Sequence, residues 1–205
     1  MTTTAATAPD ALRGRLEAAV AHPGRPSSDY DLNPGTVLPK GRKLRPAGVL
    51  IAVEQGAGPR LYMTTRSSRL KHHPGQVAFP GGKVDAGDAD EISAALREAE
   101  EEIGLPRDRV DVVGTLPAHE TVTGFTVTPV LALVTGGFAP RAEPGEVAEV
   151  FTVPFAHVLD PACYSVERRR WRGTWRRYYT VPWGPYYIWG ATARMLRGLA
   201  DRMAP

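Results

Sequence analysis

Between Asp90 and Ile103 the apolar residues Ile92, Leu96, Ala99 and Ile103 recur at helical spacing, which predicts a helix with one face against a core. Glu98 and Glu102 fall one turn apart on a neighbouring face with Glu101 beside them, and Gly104 is a stop signal after the last turn. Elsewhere the apolar runs are short and β-rich. Ala47–Val53 and Arg60–Thr65, joined through Gln55–Pro59, predict a hairpin; Gln76–Phe79 predicts a short strand feeding a glycine turn at Pro80-Gly81-Gly82. Val110–Leu116, Thr126–Val134 and Val150–Val153 are further strands, the last leading through Pro154 into a short helix at Phe155–Leu159. Tyr164–Trp171 and Trp175–Val181 flank Gly173-Thr174 as a second hairpin. Asp10 is placed to cap a helix through Ala21 with Leu12, Leu16, Ala19 and Val20 on its apolar side, and a closing helix runs on from Ile188 with Ala191, Met195 and Leu199. Residues 1–9 read as a tail, and Pro23–Pro46, rich in Pro, Gly and charge, as an extended segment. Strands, helix, strands, helix predicts a mixed sheet between helices, an α/β (α+β) fold in a single domain with its core over residues 46–200.

Composition narrows this little. At 205 residues and 42% hydrophobic content the chain is long enough for one well-cored domain. The net charge of +3 conceals an asymmetry, since Val166–Arg177 holds six Arg against one Glu, a local charge of +5 that leaves about −2 for the remainder. The single Cys163 excludes an internal disulfide framework and fits a reducing cytoplasm. No apolar run approaches membrane-spanning length, and the first ten residues lack the basic and apolar regions of an export signal. Cytoplasmic location without a membrane partner is therefore expected.

The chemistry concentrates around the predicted central helix. Three carboxylates on a helix held by its apolar face form an oxygen cage suited to a hard divalent cation. An acidic loop through Asp85, Asp88 and Asp90 precedes them. Glutamate-rich helices are commonly no more than solvated faces with i,i+4 support such as Arg97 to Glu101, but here the order of parts is specific. Gly82, Asp88, Arg97, Glu98, Ala99, Glu101, Glu102, Gly104 and Leu105 resemble the Nudix box, with Asp88 where Glu is usual and eight rather than seven residues before Arg97. Upstream, Thr64, Arg66, Ser67, Gly75 and Phe79–Gly82 resemble the second signature of the coenzyme A pyrophosphatase branch of that family. Lys71 replaces its second Arg, and Tyr62-Met63 its leucines.

The resemblance implies an α/β/α sandwich and Mg²⁺- or Mn²⁺-dependent hydrolysis of coenzyme A or acyl-coenzyme A to 3′,5′-ADP and (acyl-)4′-phosphopantetheine. Glu98 and Glu102 would be metal ligands, with Glu101 joining them or accepting a proton, and Gly82 offering its carbonyl. Arg97 would orient the carboxylates. Glu120 and Glu146 are the candidate general bases outside the box. Arg66, Arg69 and Lys71 would bind the 3′-phosphate and diphosphate, and Phe125, with the 119–126 loop, would shape the pocket. His72 and His73 are not taken as ligands. The partner implied is a small nucleotide, and the protein a monomer or homodimer. ADP-ribose or NADH is the alternative substrate; a non-catalytic sensor or nucleic-acid-binding module is another reading, against which the intact glutamates count. The Arg168–Arg172 and Trp175–Tyr179 block alternates basic and aromatic residues as a strand-binding surface would. It equally describes a hairpin with one buried aromatic face and one solvated arginine face, the reading preferred because no nucleic-acid module surrounds it.

Overall fold

The structure, a computed structural model, describes residues 8–38, 41–56, 58–70, 72–171 and 173–204, with side chains from Asp10. Lys71 and residues 1–7 of the tail expected over 1–9 lie outside the described residues; Ala8 and Pro9 belong instead to the first helix. In chain order the elements are α1 (Ala8–Ala21), β1 (Ser27–Ser28), β2 (Arg45–Glu54), β3 (Arg60–Arg66), β4 (Val77–Ala78), β5 (Gly81–Lys83), α2 (Glu91–Ile103), β6 (Val110–Thr115), β7 (His119–Glu120), β8 (Phe125–Val134), β9 (Val147–Pro154), α3 (Phe155–Leu159), β10 (Ser165–Trp171), β11 (Thr174–Thr180) and α4 (Gly190–Met203).

β2 and β8 run parallel through the centre of a nine-stranded mixed sheet, in register from Arg45 opposite Phe125 to Glu54 opposite Val134. β2 and β3 form the expected hairpin, yet pair only near the turn, at Val53–Leu61 and Glu54–Arg60. Beyond that point they part. β5 takes the place beside β2 at Ala47–Val49, while β4 lies along the far end of β3. The glycines expected in a turn therefore belong to a strand, whose three residues are too few to show a period of two. β9 flanks the other side of β3, β6 and β7 share the outer side of β8, and β1 adds in parallel to β7.

The alternation of side chains across the central strands builds two cores. Leu50 and Ala52 of β2 and Val130, Ala132 and Val134 of β8 pack with Ala95, Ala99 and Ile103 of α2. Ile51, Val53, Leu131 and Leu133 point the other way, against Leu16 of α1, Val158 of α3 and Leu196 and Leu199 of α4. The fold is thus an α/β/α sandwich with a mixed central sheet.

Helix α2 begins where Asp90 accepts a hydrogen bond from the Ser93 N–H at 2.7 Å, and ends at Gly104, whose φ of 70° suits a residue without Cβ. Its buried face is rotated from the expected one. Ala94, Ala95, Ala99, Glu102 and Ile103 are buried, whereas Ile92 and Leu96 are only partly so. Small residues let the helix lie close on the sheet: a Cβ at Gly48 would stand 1.9 Å from the Glu91 carbonyl oxygen. That rotation carries Glu102 onto the face toward the sheet. At the other end of the chain, α1 starts at Ala8, so Asp10 sits in the first turn rather than at the cap.

β10 and β11 form a separate two-stranded sheet, as the second hairpin was expected to. The buried aromatic face is not observed at its outer part. Every residue of β10 is exposed, and Trp171 and Trp175 retain 48% and 58% of their accessible surface. It meets the body of the protein along β11 from Arg176 to Thr180, where Arg176 lies over the Tyr30 ring and Asn33 pairs with the Arg177 backbone.

Candidate functional site

The place where β2 and β3 part is also where the acidic side chains converge. Glu98, Glu102 and Glu146 each direct a carboxylate oxygen to a common point, the three oxygens lying within 4.8 Å of one another. Glu102 is 3% exposed; its Oε2 accepts from the Gly81 N–H at 3.0 Å and its Oε1 is 3.8 Å from Arg66 Nη1. Burial pushes its carboxyl up to about 7 and outweighs both of those contacts; burial also raises Glu98. Carboxylates so disposed are costly to ionise alone, and their ionisation is favoured once a divalent cation arrives. The donor set is all oxygen and fits a hard cation. Gly82 adjoins it so closely that a Cβ there would lie 2.3 Å from a Glu98 carboxylate oxygen.

Arg97 organises the approach to this group. Its Nε and Nη2 grip the two oxygens of Asp88 at 3.0 and 2.9 Å, and Nη1 donates to Glu98 and Glu101, both at 3.0 Å. The fork holds the Asp88 carboxyl down to about 2. Asp88, shorter by one methylene than the usual Glu, still reaches the guanidinium bidentately from its loop. Glu101 is not among the converging carboxylates; its side chain is 59% exposed and paired to Arg97.

Glu146 arrives from far along the chain because its loop satisfies the end of α2. The N–H groups of Arg141 and Glu143 donate to the Ile103 and Glu102 carbonyls at 2.9 Å each, closing off carbonyls the helix leaves without partners. Glu143 then turns the chain, its carbonyl accepting from Val147 N–H at 2.8 Å and its carboxylate from Glu146 N–H at 2.9 Å. The Ser67 N–H donates to the Glu146 carbonyl at 2.8 Å, tying the turn to the end of β3. Glu143 is a positioning residue that no spacing in the sequence announces; its Pro144-Gly145 turn was the one available signal.

The other expected residues lie apart from this group. Glu120 is ion-paired with Arg42. Phe125 packs on the α1–α4 core with the Arg45 guanidinium 4.1 Å over its ring. Arg69 is in a turn whose backbone N–H reaches Ser67 Oγ at 3.3 Å, and among the described residues its guanidinium has no carboxylate partner. Beside Glu120, His119 is fully buried between Ser27 Oγ at 2.9 Å and Asp29 at 3.2 Å, bracing β7 against β1. A hollow of about 220 Å³ between α4 and residues 22–27, bordered by Arg25, Arg194 and Arg202, lies on the face of the sheet away from α2 and contains none of the three carboxylates.

Residues 44–173 match the NUDIX domain. The chain belongs to the Nudix hydrolase family. The Nudix hydrolase NudL of Citrobacter koseri, described as uncharacterized, is 45% identical over 156 residues, covering 76% of this chain and 81% of that protein. NudL of Salmonella newport, described in the same way, is 44% identical over the same span. Among solved structures, the NUDIX domain of Shewanella oneidensis NrtR, complexed with ADP ribose, superposes with a TM-score of 0.52 at 14% identity, over 83% of this chain and 96% of that one. A MutT/nudix family protein from Enterococcus faecalis gives 0.50 at 14% identity, over 82% of this chain and 65% of that one. At such identities the likeness is one of fold. Family and fold together make this Nudix protein a pyrophosphohydrolase, and Nudix hydrolases generally use divalent metal ions. The Nudix box accordingly maps onto β5, the Asp88 loop and α2, and no helix among the described residues is long and apolar enough to cross a membrane.

Proposed function

We propose that this Nudix hydrolase cleaves the pyrophosphate bond of coenzyme A or acyl-coenzyme A, giving 3′,5′-ADP and (acyl-)4′-phosphopantetheine. The observation that carries this reading is the junction of the two motifs. Arg66 and Ser67 of the upstream signature touch Glu102 and the Glu146 turn respectively, so that signature borders the carboxylate group. Glu98 and Glu102 would hold Mg²⁺ or Mn²⁺, with the Gly82 carbonyl as a further donor and the Glu146 carboxylate beside them. When bound, the cation neutralises diphosphate charge and makes water more acidic.

The chain's own groups do the rest. Arg97 fixes Glu98 and is itself fixed by Asp88, so the carboxylate is oriented before substrate arrives. Glu146, exposed at the mouth of the group, accepts the proton of the attacking water as its oxygen bonds to phosphorus and the bridging P–O bond breaks. Arg66, at the end of β3, faces the substrate's phosphates, and Arg69, in the turn that follows, would add charge for them. Glu101 acts through Arg97.

The test is a substrate panel with Mg²⁺ and with Mn²⁺, products resolved by mass, run on the wild type and on Glu146→Gln, Glu101→Gln and Glu120→Gln. Selective release of 3′,5′-ADP from coenzyme A is expected. Glu146→Gln should lower kcat at least ~100-fold, while the other two stay within about tenfold. Preference for ADP-ribose or NADH would retain the hydrolase and reject the coenzyme A reading. A Glu120→Gln loss as deep as that of Glu146→Gln would reject the assigned base.

A further inference from the structure

The β10–β11 hairpin has no part in the hydrolytic site, and its physical state is unusual. Its register sets Arg168 opposite Arg177 and Arg169 opposite Arg176. Like charges directly opposite across a strand pair repel. Among the described residues none of Arg168, Arg169, Arg170, Arg176 and Arg177 forms an ion pair with a carboxylate, although Arg176 lies over the Tyr30 ring at 5.8 Å and Arg177 borders a hollow shared with Asp29 and Asp31. Alternation places one of these pairs on each face, and an exposed indole accompanies each. Trp171 shares its face with Arg169 and Arg176; Trp175 shares the other with Arg168 and Arg177. Arg168 lies over the Trp175 ring at 5.0 Å.

The arm is also held in place. The Asn33 carboxamide bridges the outer edge of β11, donating to the Arg177 carbonyl at 2.9 Å and accepting from its N–H at 2.8 Å. At the base, Ser165 and Thr180 hydroxyls meet at 2.8 Å, and Tyr178 packs edge-on to Trp189 with centroids 5.1 Å apart. An arginine-rich hairpin standing out from the body presents a surface suited to an anionic ligand. A second copy paired along the open edge of β10 would set Arg168–Arg170 against its own equivalents, adding to the like-charge repulsion already within the hairpin. A single small anion could meet the arginines of only one face. A flexible anionic polymer with flat apolar groups can follow both.

We propose that the β10–β11 hairpin is a binding arm for single-stranded nucleic acid, its arginines on the phosphates and Trp171 and Trp175 stacked on bases. The buried aromatic face of a purely structural hairpin is absent from its outer part, where Trp171 and Trp175 are exposed. The arm is separate from the carboxylate group, and its ligand need not be the enzyme's substrate.

The test uses the whole protein and a fluorescein-labelled oligouridylate, read by anisotropy, with quenching of tryptophan emission as a second signal. Saturable binding is expected, with log K falling against log salt at a slope near −3 if about four phosphates are contacted. Trp171→Ala with Trp175→Ala should weaken it at least tenfold, and Arg168→Glu with Arg177→Glu should abolish it. Thermal melts and small-substrate hydrolysis of these variants should match the parent, which separates loss of binding from loss of fold. Equal binding of inorganic polyphosphate, unaffected by the tryptophan changes, would overturn the proposal in favour of a plain charged surface. Concentration-dependent dimerisation lost in the Arg168→Glu variant would overturn it in favour of self-association.

Discussion

Burial of Glu102 bears on stability and, through its proposed role as a metal ligand, would bear on activity as well. Its carboxyl titrates near 4.5 in an unfolded chain and near 7 in the metal-free fold. Between those values the native state keeps a proton that the unfolded state has lost. The metal-free fold therefore holds this increment fully below pH 4.5 and sheds it as pH rises through 7, on the order of 3 kcal/mol at about 1.4 kcal/mol per pKa unit. Cation binding must displace that proton, so affinity should rise with pH up to about 7 and level off above it. Calorimetry in buffers of different ionisation enthalpy should detect proton release at pH 6 and little at pH 8; pH-independent affinity would contradict the assignment. Glu102→Gln should melt higher than the parent at pH 8 without metal, while losing at least ~100-fold in turnover. The i,i+4 spacing made Glu98 and Glu102 visible in the sequence. It could not separate Glu101, one residue away on the same acidic run, from Glu146, which reaches the group only through hydrogen bonds to the end of α2.

At the scale of elements, two glycines do different jobs within a few ångströms. A Cβ at Gly48 would strike the Glu91 carbonyl, part of a helix that cannot yield without leaving the sheet; one at Gly82 would strike only the Glu98 carboxylate, the movable end of a side chain. Gly48→Ala should thus destabilise the fold by roughly 1–3 kcal/mol. Gly82→Ala should melt within a few degrees of the parent and lose most of its activity. Melting curves set beside turnover distinguish the two, and equal loss of stability in both would remove Gly82 from the site. Helices α1, α2 and α4 and strands β2, β3, β6, β8 and β9 were legible because each runs for six or more residues. β4 falls within the short strand expected at Gln76–Phe79, whereas β1, β5 and β7, of two or three residues each, exist only through their neighbours.

The whole molecule divides into a two-faced core and a hairpin that contributes little to it. Leu131, fully buried where β8 meets the α1–α4 layer, should cost 2–5 kcal/mol on change to Ala, about the usual range for such a cavity. Trp171→Ala and Trp175→Ala should each shift the melting temperature by less than about 2 °C. A large shift from either would place the hairpin inside the cooperative unit. Residue pattern did foretell the sandwich. It could not foretell the exposure of the hairpin, since alternating arginine and tryptophan is the same string whether or not another layer covers it.

The last turn of α2 has a further consequence. A helix carries partial negative charge at its C-terminal end, and here Glu98 and Glu102 occupy the final turns with no basic residue in the last one. The dipole and the carboxylates oppose the bare fold together, so a cation held there as proposed would serve as a counter-pole that completes the helix as much as a reagent. Chelation should then lower the melting temperature. An ion at a hundred times its Kd supplies about 2.7 kcal/mol, or roughly 5–10 °C for a chain of this size. Glu98→Gln should abolish most of that difference, leaving a protein that melts alike with Mg²⁺ or with a chelator. A parent protein already indifferent to chelation would show that the dipole is balanced by other means.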